Sequence, residues 1–411
     1  MAISSEEPMT APPETASSPS GSGRFLPDVP PLPGDGVLLH IGVHKTGTTA
    51  IQAALAAARP DLRPHGVYYP GKRPAQHRAA LSVLQRPWGW VEKGGETYDR
   101  SNFDAMAGRV RNHQGRVVIS SEFFCETTRD SAAEVVQALG GERVHVVVTL
   151  RNLGSLLPSS WQQYLKYGMA TGYVKWLRNV FENPGGSSMT PSFWLRQDHA
   201  AVIQRWVDVV GPDRLTVLVM EDLDRRALFR TFEQLLDLPT GTLELRMDLT
   251  SNRSLTAMEA QLLLDLNRQI ALDMSWGDYQ RFVRRGLAHR LVEERTPGPE
   301  EPRLYTPPWA LAGAAAMGVK TVSAIQESGL RVLGDVDALT RIAPTGAKVD
   351  VDERRQVPTD VAVAAIKAMI DTALSPPTDE DVSTRALAGE LWKRVKDDGR
   401  ARLQNRSLRK P

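Results

Sequence analysis

Four stretches of almost continuous apolar, β-branched sequence stand out along the chain: Val37–Val43 (VLLHIGV), Arg116–Ser120 (RVVIS), Val144–Leu150 (VHVVVTL) and Leu215–Met220 (LTVLVM). Runs of this kind, without regular polar alternation, predict strands buried on both faces, as in a parallel sheet. Between them the spacing becomes helical. Ile51, Ala54, Leu55 and Ala58 recur one turn apart until Pro60. From Met258 onward Leu262, Leu263, Leu266 and Ile270 form one apolar face. Strands alternating with helices predict an α/β fold, a mainly parallel sheet flanked by helices on both faces in a single large domain.

The first strand runs directly into Gly42–Thr49, GVHKTGTT. Gly42 and Gly47 have the G-x-x-x-x-G spacing of a phosphate-binding loop, in which a Walker sequence continues with Lys and then Ser or Thr. Here Thr48 stands in the lysine's place, and the lysine, Lys45, lies inside the loop. A helix beginning near Thr48 aims its unpaired N–H groups and positive dipole end at the loop, and the hydroxyls of Thr46, Thr48 and Thr49 offer neutral donors. Strand, loop and helix together predict a P-loop-like anion cradle, built for an anion other than a nucleotide triphosphate. The third strand ends in Arg151, which opens RNLGSLLPS; Ser159 lies eight residues on. A parallel strand delivers Arg151 to the carboxyl edge of the sheet, where open α/β folds bind ligands.

With HKTGTT (His44 to Thr49) and RNLGSLLPS (Arg151 to Ser159) side by side, the chain resembles the sulfotransferases that use 3'-phosphoadenosine 5'-phosphosulfate (PAPS), and within them the bacterial branch bearing HKTGTT. The resemblance runs in order of elements from about Gly36 to Leu374 and is strong at the two motifs. It implies that His44, Lys45, Thr46, Gly47, Thr48 and Thr49 hold the 5'-phosphosulfate, that Arg151 and Ser159 hold the 3'-phosphate, and that 3',5'-adenosine bisphosphate is the product. Departures touch adenine recognition. Ala50 stands where cytosolic relatives carry a tryptophan, Met220 precedes Glu221 and Asp222 where they have a tyrosine, and Asn252, Arg253 and Ser254 sit where a basic capping loop would lie.

Sulfuryl transfer needs a base for the acceptor's proton and a cation for the charge on the departing phosphate. Lys45 suits the second task. For the first, the strand Arg116–Ser120 ends in Ser120, Ser121 and Glu122, so Glu122 is the candidate base and His44 its rival; Glu122 as a mere helix cap and His44 as a shaper of the turn are the bland alternatives. His40 reads as a satisfied core residue. No metal is expected: the one cysteine, Cys125, forms no C-x-x-C pair and follows Phe123 and Phe124, so packing suits it better than reactivity.

A single cysteine excludes an intramolecular disulfide and agrees with a reducing compartment. Residues 1–35 are rich in Pro, Ser, Glu and Gly and are expected to be disordered, with no apolar signal core. The α/β domain is expected over 36–375 and a C-terminal helix with a basic tail over 376–411. No run reaches the roughly 18 apolar residues of a membrane span, and the alanine-rich stretch Ala310–Val319 is too short, which points to a cytoplasmic protein. Net charge is +2, yet Lys393–Pro411 alone carries +6. Such a tail reads first as a solvated terminus and second as a weak membrane-surface contact, and no nucleic-acid partner is expected. The inserts Pro70–Asp104 and Tyr167–Gln197 carry Trp88, Trp90, Trp176 and Trp194, which either wall a pocket for a small-molecule, glycan or glycolipid acceptor or pack under long loops. The competing functional classes are a Mg²⁺-dependent nucleotide kinase and a non-catalytic nucleotide-binding module.

Overall fold

The computed structural model describes residues 28–87, 95–183, 189–221, 225–244, 253–270, 274–344 and 356–376. Among these, strands β1 (Val37–Gly42), β2 (Val67–Tyr68), β3 (Arg116–Ser120), β4 (Val144–Leu150), β5 (Leu215–Val219) and β6 (Arg331–Leu333) form one sheet. Their order is β2-β3-β1-β4-β5-β6 and every pairing is parallel. The four long strands are the four that the apolar runs predict. The two edge strands are too short to show a period, so nothing in the sequence announced them.

Alternate residues of the central strands enter opposite layers. Val37, Leu39 and Ile41 of β1, with Val117 and Ile119 of β3 and Val144, Val146 and Val148 of β4, pack against helices Ser101–Arg111, Arg129–Leu139 and His199–Val210. Leu38, Val118, Val147 and Leu218 face the other way, onto Ile51 and Leu55 of helix Thr48–Ala57 and Phe229 and Phe232 of helix Arg225–Leu236. The chain is therefore an α/β fold with helices on both faces. Residues 28–35, expected to be disordered, are anchored to this second layer. Val29 and Leu32 are buried, and the Leu32 amide donates to the Leu235 carbonyl at 2.9 Å. Two apolar side chains in a polar stretch suffice to seat it. Residues 1–27 and the basic tail lie outside the described residues.

A third, helical layer forms a separate core from Leu153–Leu165, Tyr173–Glu182, Ala257–Ile270, Tyr279–His289, Pro308–Glu327 and Thr359–Leu374. Trp176 is fully buried there and donates to Thr190, and Trp194 packs on its edge with its ring N–H on the Val180 carbonyl. Both are packing residues; Trp88 and Trp90 lie outside the described residues. Helix Tyr279–His289 is a π-helix, a form seldom found over more than one turn and frequent at functional sites. Gly286 lets it approach helix Thr359–Leu374, since a Cβ there would sit 2.9 Å from the Thr372 hydroxyl. No helix among the described residues is long and apolar enough to cross a membrane.

This layer is tied by one buried carboxylate. Glu259 is fully buried and receives both terminal nitrogens of Arg253, at 2.7 and 2.8 Å, and Arg295 at 3.0 Å. Arg295 continues to Glu301 and Asp360. Arg253 also donates to the carbonyls of Leu291 and Arg295, so it braces the helices rather than capping a nucleotide; Asn252 lies outside the described residues. Removing one partner of a buried ion pair strands the others and costs about 3–5 kcal/mol. Glu259→Ala is therefore expected to lower the urea-unfolding free energy by about 3 kcal/mol or more, and a loss below about 1 kcal/mol would show that the network does not brace this layer.

Candidate active site

The loop between β1 and helix Thr48–Ala57 turns through three left-handed residues, Gly42 (φ 74°), Lys45 (φ 71°) and Gly47 (φ 90°). Gly42 is required twice over, since a Cβ there would lie 2.7 Å from the Glu122 Cβ. The end of β3 thus closes directly over the end of β1. Gly47 is the helix N-cap, and no side chain caps it, so the first amide groups of the helix face the loop with the positive end of the dipole. Thr48 is buried and Thr49 exposed.

Beneath the loop runs a buried polar thread on the second face of the sheet. The Thr46 hydroxyl donates to the Val43 carbonyl at 2.7 Å and meets the Thr149 hydroxyl at 2.6 Å. His40 Nε2 lies 3.2 Å from Thr149 Oγ1, and His40 Nδ1 lies 2.8 Å from Ser120 Oγ. Each hydroxyl has one proton. Thr46 gives its own to Val43, so Thr149 donates to Thr46, His40 Nε2 donates to Thr149, and Ser120 donates to Nδ1. The assignment requires a neutral imidazole. Burial supplies it, pushing the His40 pKa down to about 4 against the opposing charge of Glu122. His40 is thus the satisfied core residue expected. The Thr46 hydroxyl, expected to face the ligand, instead anchors the loop to β4, giving its proton to the Val43 carbonyl and accepting from Thr149.

Glu122 and Glu126 belong to one short 3₁₀ turn after β3, Glu122–Glu126, capped by the Ser121 hydroxyl. Glu126 is the buried hub. It receives His44 Nε2 at 2.9 Å and Arg196 at 2.8 Å, and forms an ion pair with Arg86 at 2.6 Å. Its own burial works against ionisation, but Arg196, His44 and Arg86 prevail and hold its pKa at about 2. His44, one candidate base, therefore has its Nε2 engaged by a structural carboxylate. Its ring stands edge-on to Phe123 at 5.1 Å. Burial, and then the Arg196 charge, lower its pKa against the pull of Glu126 and Glu122.

Glu122, the other candidate, faces the cleft. Gln52 of the helix after the loop donates to its Oε2 at 3.0 Å, and His77 Nε2 lies 3.8 Å from its Oε1. Burial alone would raise its pKa; the charges of His77 and His44, the Gln52 bond and a backbone amide outweigh that and bring it to about 2. Glu122 is ionised at neutral pH. Sequence reasoning missed His77 and Gln52. His77 sits in the insert Pro70–Asp104 with no motif around it, and it reaches the site because Gln76 accepts from the Ser120 amide at 2.8 Å, pinning helix His77–Leu84 to the end of β3. The Lys45 ammonium donates to Gln163 Oε1 at 2.9 Å. Desolvation lowers its pKa, Arg284 adds to the shift, and Glu122 opposes it.

Arg151 reaches the same sheet edge as Lys45. β1 and β4 are neighbours with Gly42 opposite Val148, and Lys45 and Arg151 each lie three residues beyond. The exposed Arg151 guanidinium is 3.4 Å from Glu221, which also accepts from the Asn152 amide and the Ser155 hydroxyl. Ser159 lies on helix Leu153–Leu165, where its hydroxyl donates back to the Leu156 carbonyl at 3.0 Å, so no contact joins it to Arg151. Ala50 and Met220, which stand where relatives carry aromatics, both pack partly buried on the second-face core. His40 and His44 have the H-x-x-x-H spacing of a metal pair, but they bond to different partners, and no three metal-ligating side chains gather among the described residues.

No protein-family model and no curated protein matches the chain. Among solved structures it is similar to a sulfotransferase from Alicyclobacillus acidocaldarius, with 19% sequence identity over 59% of this chain and 98% of that one and a TM-score of 0.39.

The buried titrating groups set a pH dependence. His40, His145 and His199 are each desolvated to about 4 from an ordinary 6.5, while Glu122 and Glu126 fall to about 2 from 4.5. In both cases the unfolded chain binds the proton first, so stability is complete above pH about 6.5 and declines as pH falls, first through the histidines and then through the carboxylates. Urea midpoints are expected to drop steadily between pH 7 and pH 4; a flat profile over that interval would contradict the buried, neutral histidines.

Proposed function

We propose that the chain is a sulfotransferase that takes its sulfuryl group from PAPS and passes it to a hydroxyl or amine of a carbohydrate, lipid or small-molecule acceptor. The observation that carries this reading is the position of Lys45. Its ammonium projects from inside the loop to Gln163, within the field of Glu122, while the place of a Walker lysine is held by the buried Thr48. A loop so built lacks the lysine a nucleotide kinase uses on the β- and γ-phosphates.

The residues fit the phosphosulfate. The left-handed turns at Gly42 and Gly47 and the uncapped start of helix Thr48–Ala57 offer amide donors, with His44 to Thr49 forming the cradle for the 5' end. Arg151, exposed at the neighbouring strand end, is the residue proposed for the 3'-phosphate, with Ser159 after it. When bound, the phosphosulfate supplies an activated sulfuryl group. Lys45 then stabilises negative charge at its phosphate side, and Glu122 accepts the proton of the acceptor.

A carboxylate with pKa about 2 is a weak base. An anion arriving at the loop raises that value, because like charges disfavour ionisation, so ligand binding itself brings Glu122 toward a useful basicity. Gln52 and His77 hold the carboxylate in place. His44, turned to Glu126, is a positioning residue in this scheme and shapes the loop rather than competing as base. A cytoplasmic setting, motivated by the single cysteine, is part of the proposal.

Calorimetric titration with 3',5'-adenosine bisphosphate is expected to show binding that does not need Mg²⁺. Glu122→Gln should keep that binding and lose about 10²-fold or more in turnover, and Lys45→Ala should lower turnover much more than acceptor affinity. Mg²⁺-dependent ATP binding without bisphosphate binding would replace this reading with a kinase, and bisphosphate binding without transfer to any acceptor would leave a binding module.

A further inference from the structure

The Lys45 side chain does not rest on its own loop. Its ammonium donates to Gln163 Oε1 at 2.9 Å, and Gln163 stands in the last turn of helix Leu153–Leu165, 118 residues further along the chain. That turn is fixed by its neighbours. Gln162 Nε2 donates to the Leu255 carbonyl and Gln162 Oε1 accepts from the Leu255 amide, both at 2.9 Å. The Leu165 carbonyl accepts from Asn267 at 2.8 Å and from the Tyr279 hydroxyl at 3.3 Å. Leu157, Trp161 and Leu165 are fully buried in the core of the helical layer. Gln163 also hydrogen-bonds Tyr167, whose ring stacks on Trp276 at 5.6 Å. The amide that meets Lys45 is therefore carried on a firmly seated helix end.

A lysine reaches a ligand through a flexible four-carbon stem, and fixing that stem costs side-chain entropy. With Gln163 in place the stem is fixed before an anion arrives, which is the condition for pre-organised binding. An ammonium has three N–H donors; Gln163 takes one and leaves two. The chemical nature of the partner matters as much as its position. An amide oxygen is neutral and leaves the charge of the lysine whole, whereas a carboxylate at the same place would neutralise it and repel an incoming anion. The neighbouring strand end shows the contrast, since the Arg151 guanidinium lies 3.4 Å from the carboxylate of Glu221. The helix that carries Gln163 begins at its Asn152 cap, next in the chain to Arg151. One helix thus runs from the arginine of the second motif to the partner of the lysine of the first.

We propose that Gln163 is a positioning residue of the anion-binding loop: it holds the Lys45 ammonium in place for the 5' anionic group of the nucleotide, and as a neutral amide it leaves the full charge of Lys45 to that group. This deepens the sulfotransferase reading and rests on it for the identity of the ligand. It adds to the donor site a side chain that lies outside both sequence motifs and acts only through Lys45.

The test compares two ligands of the full chain by direct and competition calorimetry: 3',5'-adenosine bisphosphate, and adenosine 3'-monophosphate, which lacks the group proposed to meet Lys45. Gln163→Met keeps the length of the side chain and removes the acceptor; it is expected to weaken bisphosphate binding about fivefold, through the loss of one charge-assisted bond. Gln163→Glu, which is isosteric but charged, is expected to weaken it about tenfold or more. Neither substitution should change the affinity for the 3'-monophosphate by more than about twofold, whereas general damage to the site would weaken both ligands alike. Bisphosphate binding by Gln163→Met as tight as in the wild type, Gln163→Glu binding no weaker than Gln163→Met, or equal losses for the two nucleotides would overturn the role. If the wild type binds neither nucleotide, the sulfotransferase reading fails, and titration with inorganic phosphate decides the rest. Phosphate binding weakened in Gln163→Met would keep Gln163 as the positioning residue of an anion loop; no binding, or binding indifferent to the substitution, would overturn it.

Discussion

The loop at the heart of this fold is held from below by a line of hydrogen bonds that can run in only one direction. Because Thr46 gives its proton to the Val43 carbonyl, every donor behind it is fixed in turn, through Thr149 to His40 and Ser120. These partners come from β3, β1 and β4 together, so the network couples the three strands on which the site stands. A buried network of this kind is costly when incomplete and rigid when complete. Here it is complete and contains no net charge, as the neutral His40 requires.

Charge is instead managed one layer higher, on the 3₁₀ turn that follows β3. Two carboxylates four residues apart acquire different fates from their surroundings. Glu126 faces inward and meets Arg86, Arg196 and His44; Glu122 meets the weaker partners Gln52 and His77. Phe123 separates them, with the rings of His44 and His77 each edge-on at 5.1 Å. One carboxylate is a brace, and the other is left able to respond to what binds. Gly42 makes this possible by letting the turn settle against the end of β1.

The sheet was legible because its central strands are buried on both faces and so appear as unbroken apolar runs. The loop was legible because two glycines and a lysine at fixed spacing have a geometric meaning that survives without tertiary context. What surrounds the loop was not. His77 and Gln163 carry no motif, and they meet Glu122 and Lys45 only through the docking of His77–Leu84 on β3 and the position of helix Leu153–Leu165 beside the loop. Hydroxyl roles were equally hidden, since the sequence around Thr46 gives no hint that its hydroxyl finds its partners in Val43 and Thr149. The tryptophans of Tyr167–Gln197 illustrate the same limit from the other side: aromatic composition left a pocket wall and packing equally open, and packing used Trp176 as core.

Lys45 brings these threads together. A non-glycine residue held at φ 71° carries backbone strain of about 1–2 kcal/mol that glycine would avoid. No salt bridge within the described residues offsets it, since the Lys45 bond goes to the neutral Gln163. A left-handed backbone is nonetheless what aims the side chain back across the loop mouth rather than along the helix, into the field of Glu122 on one side and Arg284 on the other. The strain and the displaced lysine are thus two aspects of one arrangement, and the proposed chemistry, with negative charge developing close to the loop rather than at a distant γ-phosphate, is the reading that gives both a reason.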